Sequence, residues 1–350
     1  MKRDIKSLLL QELNEYFESI GEKKFRAKQV FLWLHNGVKS FADMTNISQE
    51  LRTKLDADFF ISVPEIIEKQ VSTIDGTIKY LWRVMDDDAV ECVLMEYSHG
   101  NTLCISSQIG CKMGCLLCAS SLDGFKRNLN ASEMLDQVIF TQLDSGIRIS
   151  NVVLMGIGEP LDNFENVMRF FELICHQDGL NIGARHITIS TCGVIENIDR
   201  LAEYDVQLTL AISLHAPDDE TRSMLIPANI NTGVDRLLEA GSNYFSKTGR
   251  RVSYEYALIE GVNDTPFHAE LLSSKLSKSK SHLNLILLSN VKERQFTASS
   301  SKNVDIFTEI LKERGINYTK RRSLGADIEA SCGQLRHRVL GLGKIKRNSH

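Results

Sequence analysis

Cys111-Lys-Met-Gly-Cys115-Leu-Leu-Cys118 places three thiols in one short loop, directly after an apolar run over 103–106 that reads as a strand. Three thiolates can hold three irons of a four-iron cluster, whereas a cluster ligated wholly by protein needs four. The fourth iron is then open. A structural zinc site is the competing reading, but it normally takes four ligands, usually as two CxxC-like pairs. No second pair follows, although one of the nine histidines could complete such a set.

An open iron can chelate the amino and carboxylate groups of S-adenosylmethionine (SAM), so that the sulfonium accepts an electron and breaks homolytically. In such a site the protein supplies orientation and the cofactor the radical. Outward from the loop, short apolar runs over 103–106, 152–155, 186–190, 208–214, 252–258, 283–288 and 318–321 alternate with amphipathic helices. One helix, over 131–143, has Asn130 as a candidate N-cap and Glu133 three residues on; another, over 304–314, stops at Gly315. Such crossovers predict an α/β fold with a parallel sheet, with too few units for an eightfold barrel. A partial (βα)6 TIM-like barrel and a doubly wound sheet both fit.

The strand ends carry the candidate cofactor rim. Gly156-Ile-Gly158-Glu159-Pro160 follows one strand; glycines let backbone approach a ligand, and Glu159 can take the ammonium of SAM. The next strands end at Ser190 and at Ser213-Leu214-His215. Each of these also reads as an ordinary strand-end cap or a satisfied polar group. Cys104 precedes the three-cysteine loop, and Cys332 lies in a glycine-bracketed stretch after the last strand. A closed barrel would bring both thiols to one mouth, where they could react in turn; the bland alternative is two small buried hydrophobes.

Upstream, residues 1–62 read as a helical accessory domain, 63–98 as a β-rich extension, 99–335 as the core and 336–350 as a basic tail. The chain has 43% hydrophobic and 25% charged residues, an ordinary globular composition. Its net charge of −4 and pI near 6.2 exclude a global basic field, so any nucleic-acid contact must use local patches. Candidates are Lys23, Lys24, Arg26 and Lys28, then Lys320, Arg321 and Arg322, then Arg336, Arg338, Lys344, Lys346 and Arg347. The N-terminus interrupts its apolar residues with acids, unlike a signal peptide, and no run reaches membrane-spanning length. A cytoplasmic protein is expected, in which the eight cysteines suggest metal or redox chemistry before a disulfide framework.

Phe25-Arg-Ala-Lys-Gln, the cysteine loop, Gly158-Glu-Pro-Leu-Asp-Asn163, Ser213-Leu-His-Ala-Pro217, Gly261-Val-Asn-Asp264 and Gly325-Ala-Asp-Ile with Cys332-Gly-Gln-Leu335 together resemble the RlmN/Cfr family of radical SAM RNA methyltransferases, from about residue 20 to 336. The resemblance implies a 4Fe-4S cluster on Cys111, Cys115 and Cys118, and SAM held by Gly158, Glu159, Ser190, Ser213, Leu214, His215 and Ser289. It also implies a two-cysteine mechanism for methylating an adenine carbon. One SAM methylates Cys332, and a second, cleaved at the cluster, gives a 5'-deoxyadenosyl radical that abstracts hydrogen from the S-methyl group. The carbon radical adds to adenine, and Glu91 takes the ring proton. Cys104 then releases the product, leaving a transient Cys104–Cys332 disulfide. Implied partners are 23S rRNA, tRNA and an electron donor such as flavodoxin or ferredoxin, with the enzyme a monomer whose N-terminal domain contacts RNA.

Three departures from the family pattern stand out. The cluster run continues as Cys118-Ala-Ser-Ser121 where relatives commonly have Cys-Ala-Thr-Gly. Ser289 takes the place of a SAM-contacting Asn, with Asn290 beside it, and Ile226-Pro227-Ala228 replaces Met-Pro-Ile. Within the family, Gly-Glu-Pro-Leu-Asp-Asn favours carbon-2 over Cfr-type carbon-8 methylation. Outside it, a non-catalytic zinc-stabilised RNA-binding protein remains the alternative.

Overall fold

The computed structural model describes residues 2–98, 100–204, 206–277, 279–287, 296–322, 324–328 and 334–341. Cys332, Ser289, Asn290 and the tail lysines lie outside them. The chain opens with helices α1 (Leu10–Ser19), α2 (Lys24–His35) and α3 (Gln49–Asp58). The Glu12 carboxylate accepts from the Leu9 amide at 2.8 Å, which satisfies one of the orphan donors at the start of α1.

An antiparallel meander follows: β1 (Glu65–Val71), β2 (Ile78–Arg83), β3 (Ala89–Tyr97) and β4 (Gly100–Cys104). β4 is the joint of the sheet, antiparallel to β3 and parallel to β5 (Asn151–Leu154). From there strands and helices alternate: α4 (Ala131–Ser145) before β5, then α5 (Phe164–Cys175), β6 (Ile187–Thr191), α6 (Ile195–Leu201), β7 (Thr209–Ser213), α7 (Asp219–Leu225), α8 (Val234–Thr248) and β8 (Ser253–Leu258). The series ends with α9 (Pro266–Leu276), β9 (His282–Leu287), α10 (Ser301–Glu313), β10 (Tyr318–Lys320) and α11 (Gln334–Gly341).

The ten strands form one sheet in strictly sequential order. A doubly wound sheet reverses direction at a switch point; this one does not, so the crossovers all run one way, as in a barrel. Six βα units followed by β10 make the partial (βα)6 barrel expected from the alternation, and the 63–98 meander extends the same sheet. α4 opens as expected, with the Asn130 amide donating to Glu133 at 2.9 Å. Glu133 in turn accepts a two-pronged bond from Arg127 at 2.7 and 2.8 Å.

The apolar faces of the N-terminal helices, through Leu13, Phe17, Val30, Phe31 and Leu34, belong to the same core as Val138, Ile139 and Phe170 of α4 and α5. A buried ion pair spans the two parts: Lys6, ahead of α1, donates to Asp136 on α4, whose other oxygen accepts from Ser62 at 2.7 Å. Burial, assisted by Asp4, pushes the Asp136 carboxyl up to about 6 despite the Lys6 charge. Because the folded value exceeds the unfolded one, protonation favours the folded state as pH falls through 6. Lys6→Met should therefore cost about 3–5 kcal/mol at pH 7.5, where it strands a buried carboxylate. Thermal melts should show that loss shrinking at pH 5, where Asp136 is neutral.

Candidate active site

The carboxyl ends of the parallel strands surround a cavity of 710 Å³. Cys111, Cys115 and Cys118 all line it. Their loop, 110–126, is closed at the neck by an antiparallel pair, Gln108–Ile109 on Arg127–Asn128. At that neck a Cβ on Gly110 would stand 1.6 Å from the Gly124 carbonyl oxygen, and φ is +72°, so only glycine fits. The middle of the loop is pinned where the Leu116 amide donates to the Leu225 carbonyl at 2.9 Å. Ser121, one of the departures noted above, donates to the Cys115 and Cys118 carbonyls at 3.0 Å each, so it braces the backbone between two of the thiols.

Burial pushes the Cys111 thiol up to about 11 and the Cys115 thiol up to about 12, and negative charge on neighbouring cysteines adds to the Cys115 shift. A metal group binding here must therefore displace protons. Among the described residues no three Cys, His, Asp or Glu side chains gather closely enough to share one metal ion. Three thiols on one cavity wall leave room for a cluster with one open iron.

The Gly-Glu-Pro-Leu-Asp-Asn turn works mainly by holding protein to protein. Glu159 is buried, and its two oxygens accept from the Leu161 amide at 3.0 Å and the Cys192 amide at 2.8 Å, tying the turn after β5 to the turn after β6. Desolvation raises its pKa while these amides oppose the rise. Its own amide donates to Gln108 at 2.8 Å. Asp162 pairs with Lys112 of the cluster loop at 2.7 Å, and Asn163 donates to the Ser107 and Leu129 carbonyls at 2.9 and 2.8 Å. Gly158 lines the cavity, but a Cβ there would strike Gln108 at 2.5 Å; Gly156 would strike the Ile105 carbonyl at the same distance. Packing against the chain itself is enough to require both glycines.

Ser190 and Ser213 reach the cavity wall. Leu214 is fully buried in the core and absent from that wall; its backbone is used instead, its amide donating to the Glu255 carbonyl at 3.0 Å. His215 lies on the wall with φ +57°, a conformation rare for a side-chain-bearing residue. Asn263 holds it there by donating to the His215 carbonyl at 2.6 Å. Burial, with the Arg222 charge assisting, lowers the His215 pKa to about 3, so the ring is neutral. Its Nδ1 accepts from the Ala257 amide at 3.0 Å, which puts the proton on Nε2 as a donor.

Cys104 ends β4 on the same wall. Glu91 shares the β3 face of Val93, Met95 and Tyr97, which line the cavity, but is itself absent from the wall. It is buried, paired with Lys79 at 2.8 Å and accepting from the Arg336 amide at 2.5 Å. Arg336, expected on an RNA-facing patch, is instead buried, bonded to Asp88, Asp123 and the Ala89 carbonyl. No disulfide joins the seven cysteines among the described residues. Sequence reading missed Glu255, a wall residue accepting from Asn284 at 2.8 Å and paired with Arg321 at 3.5 Å. The available signal was an acid inside the otherwise apolar strand run 252–258.

Residues 4–61 match the ribosomal RNA large subunit methyltransferase N-terminal domain, and 105–271 match the radical SAM superfamily. Probable dual-specificity RNA methyltransferases RlmN from Lachnoclostridium phytofermentans and Alkaliphilus oremlandii are 50% and 48% identical, over 96% and 97% of this chain and 94% and 99% of theirs. This chain belongs to the RlmN family of radical SAM RNA methyltransferases. The crystal structure of a radical SAM methyltransferase from Sphaerobacter thermophilus, 40% identical, superposes with a TM-score of 0.90 over 95% of this chain and 98% of that one.

The neck glycine closes the loop that carries Cys111, Cys115 and Cys118. Gly110→Ala should cost at least about 1–3 kcal/mol in backbone strain. After anaerobic reconstitution it should retain a small fraction of the wild-type iron, measured per chain by colorimetric assay.

Proposed function

We propose that this enzyme transfers a methyl group to carbon 2 of an adenosine in 23S rRNA, and of an adenosine in tRNA, by way of a methylated Cys332. The observation that carries this reading is that Cys104 shares one cavity wall with Cys111, Cys115 and Cys118. Cys104 is buried, yet it lines this wall rather than joining a packed apolar cluster, the usual place of a thiol that only fills space. Membership of a family whose relatives are called dual-specificity RNA methyltransferases supports the RNA substrates.

Cys111, Cys115 and Cys118 would hold the 4Fe-4S cluster, and Glu159, Ser190, Ser213 and His215 would face the SAM beside it. When bound, the cluster supplies the single electron that cleaves SAM. His215 offers its Nε2–H as a neutral donor and adds no positive charge beside the sulfonium. Glu159 brings a carboxylate whose remaining lone pairs can accept the ammonium. Gly158 and Leu214 would act through backbone, and Ser289 would complete the rim. Cys332 carries the methyl group and becomes joined to the nucleotide through it. The Cys104 thiolate attacks the Cys332 sulfur; a sulfur–sulfur bond forms as the sulfur–carbon bond to the nucleotide breaks, and the released carbon keeps the electron pair and takes up a proton to complete the methyl group. Glu91 would take the adenine C2 proton, which requires its bonds to Lys79 and to the Arg336 amide to loosen and its carboxylate to reach the cavity.

The N-terminal helical domain, residues 1–62, would contact RNA through exposed Phe25 and its neighbours Lys23, Lys24 and Arg26. Phe25 is 52% exposed and stacked under the Arg26 guanidinium, a pairing suited to an unstacked base. No helix of the described residues is long and apolar enough to cross a membrane. The enzyme would work as a cytoplasmic monomer reduced by a flavodoxin or ferredoxin.

Cys104→Ala should trap the RNA–protein adduct, seen as an RNase-sensitive shift in a denaturing gel. Cys332→Ala should form none. Both should lower methylation by at least about a hundredfold. Wild-type turnover by either variant would remove the two-cysteine mechanism.

A further inference from the structure

Arg222 on α7 is 0% exposed, one of the largest side chains fully buried among the described residues. Its guanidinium donates to four acceptors: the Leu214 carbonyl at 3.0 Å, the Ser213 carbonyl at 3.0 Å, the Cys192 carbonyl at 2.5 Å and Asn229 Oδ1 at 2.5 Å. None of the four is a carboxylate. Asp219 is reached only through the Asn229 amide, which donates to it at 3.1 Å.

Neutral donors could satisfy these carbonyls, whereas burying an unpaired cation costs several kcal/mol. A charge kept at that cost needs an anion to face. The cluster loop is the candidate on geometry. α7 ends at Leu225, one turn beyond Arg222, and the Leu225 carbonyl accepts from Leu116, the residue next to Cys115. The Ile226 amide donates back to the Arg222 carbonyl at 2.7 Å, and Leu225 and Ile226 pack with Cys115, Leu117 and Cys192. Cys115 and Cys192 lie close enough that their ionised forms, like the Asp219 carboxylate, would act on the guanidinium directly. Three thiolates on a four-iron cluster give that wall a net negative charge, which becomes more negative on reduction.

We propose that Arg222 is the counter-charge that sets the reduction potential of the cluster, while its hydrogen bonds hold the turns after β6 and β7 that carry the SAM rim. The proposal rests on the family reading of the three thiols. Arg222 is thus a positioning residue, touching neither cofactor nor substrate. A buried positive charge stabilises the reduced cluster, so removing it makes the potential more negative.

The test is a redox titration, followed by electron paramagnetic resonance, of anaerobically reconstituted wild type, Arg222→Gln and Arg222→Lys, without SAM or RNA. Arg222→Gln keeps a polar donor and loses the charge. At a fixed potential near the wild-type midpoint it should hold about tenfold less reduced relative to oxidised cluster, a shift of about 59 mV for one electron. Arg222→Lys keeps the charge and should keep the wild-type potential. Equal potentials in wild type and Arg222→Gln, or equal shifts in both variants, overturn the counter-charge. Should Arg222→Gln not fold, Arg222→Lys decides: an unchanged potential supports the proposal and a shifted one overturns it. Wild-type protein that takes up no iron would overturn the family reading itself, and the proposal with it.

Discussion

At the carboxyl ends of β4 to β8 the chain leaves the sheet while still buried, and its peptide groups lose their ladder partners just where the cavity begins. Buried amides and carbonyls must be paired. Side chains do this from outside the sheet: Gln108 and Glu159 between the first three turns, Asn163 on the root of the cysteine loop, Arg222 on the turns after β6 and β7 and Asn263 on the turn at His215. Each ties one turn to a neighbour, so the rim is a continuous hydrogen-bonded series rather than five separate loops. Loss of one tie leaves a buried polar group unsatisfied as well as a loop unanchored.

This explains why several motif residues also serve the frame. Gly158 is small because Gln108 packs against it, and Asp162 and Asn163 face the cluster loop. His215 accepts a strained backbone because Asn263 and the Ala257 amide define its position, and that position decides which ring nitrogen carries the proton. A framework of this kind presents donors and acceptors already oriented, which is how a protein contributes to chemistry whose reactive species belongs to the cofactor.

Much of the architecture was legible in the sequence, because alternating apolar runs and helix stop signals depend on local periodicity. The 131–143 helix and its Glu133 cap appeared within two residues of α4, and the seven apolar runs from 103–106 to 318–321 matched β4 to β10. What periodicity left open was barrel against doubly wound sheet, since strand order is a property of the whole sheet. The cysteine loop was legible by spacing alone. Arg222 and Glu255 were not, since a charged residue in a helix or an acid in a strand normally faces water, and only the fold turns these two inward. Arg336 shows the converse error: a cation in a basic-looking tail is buried against Asp88 and Asp123.

Methylation of adenine carbon 2 in RNA is the reaction this cavity is built to perform. The most direct measurement is anaerobic reconstitution with iron and sulfide, incubation with SAM, reductant and unmodified 23S rRNA, and nucleoside mass spectrometry of the digested RNA. The account predicts new 2-methyladenosine. 8-Methyladenosine would contradict the regiochemistry, and 5'-deoxyadenosine formed with no methylated nucleoside would contradict the RNA substrate.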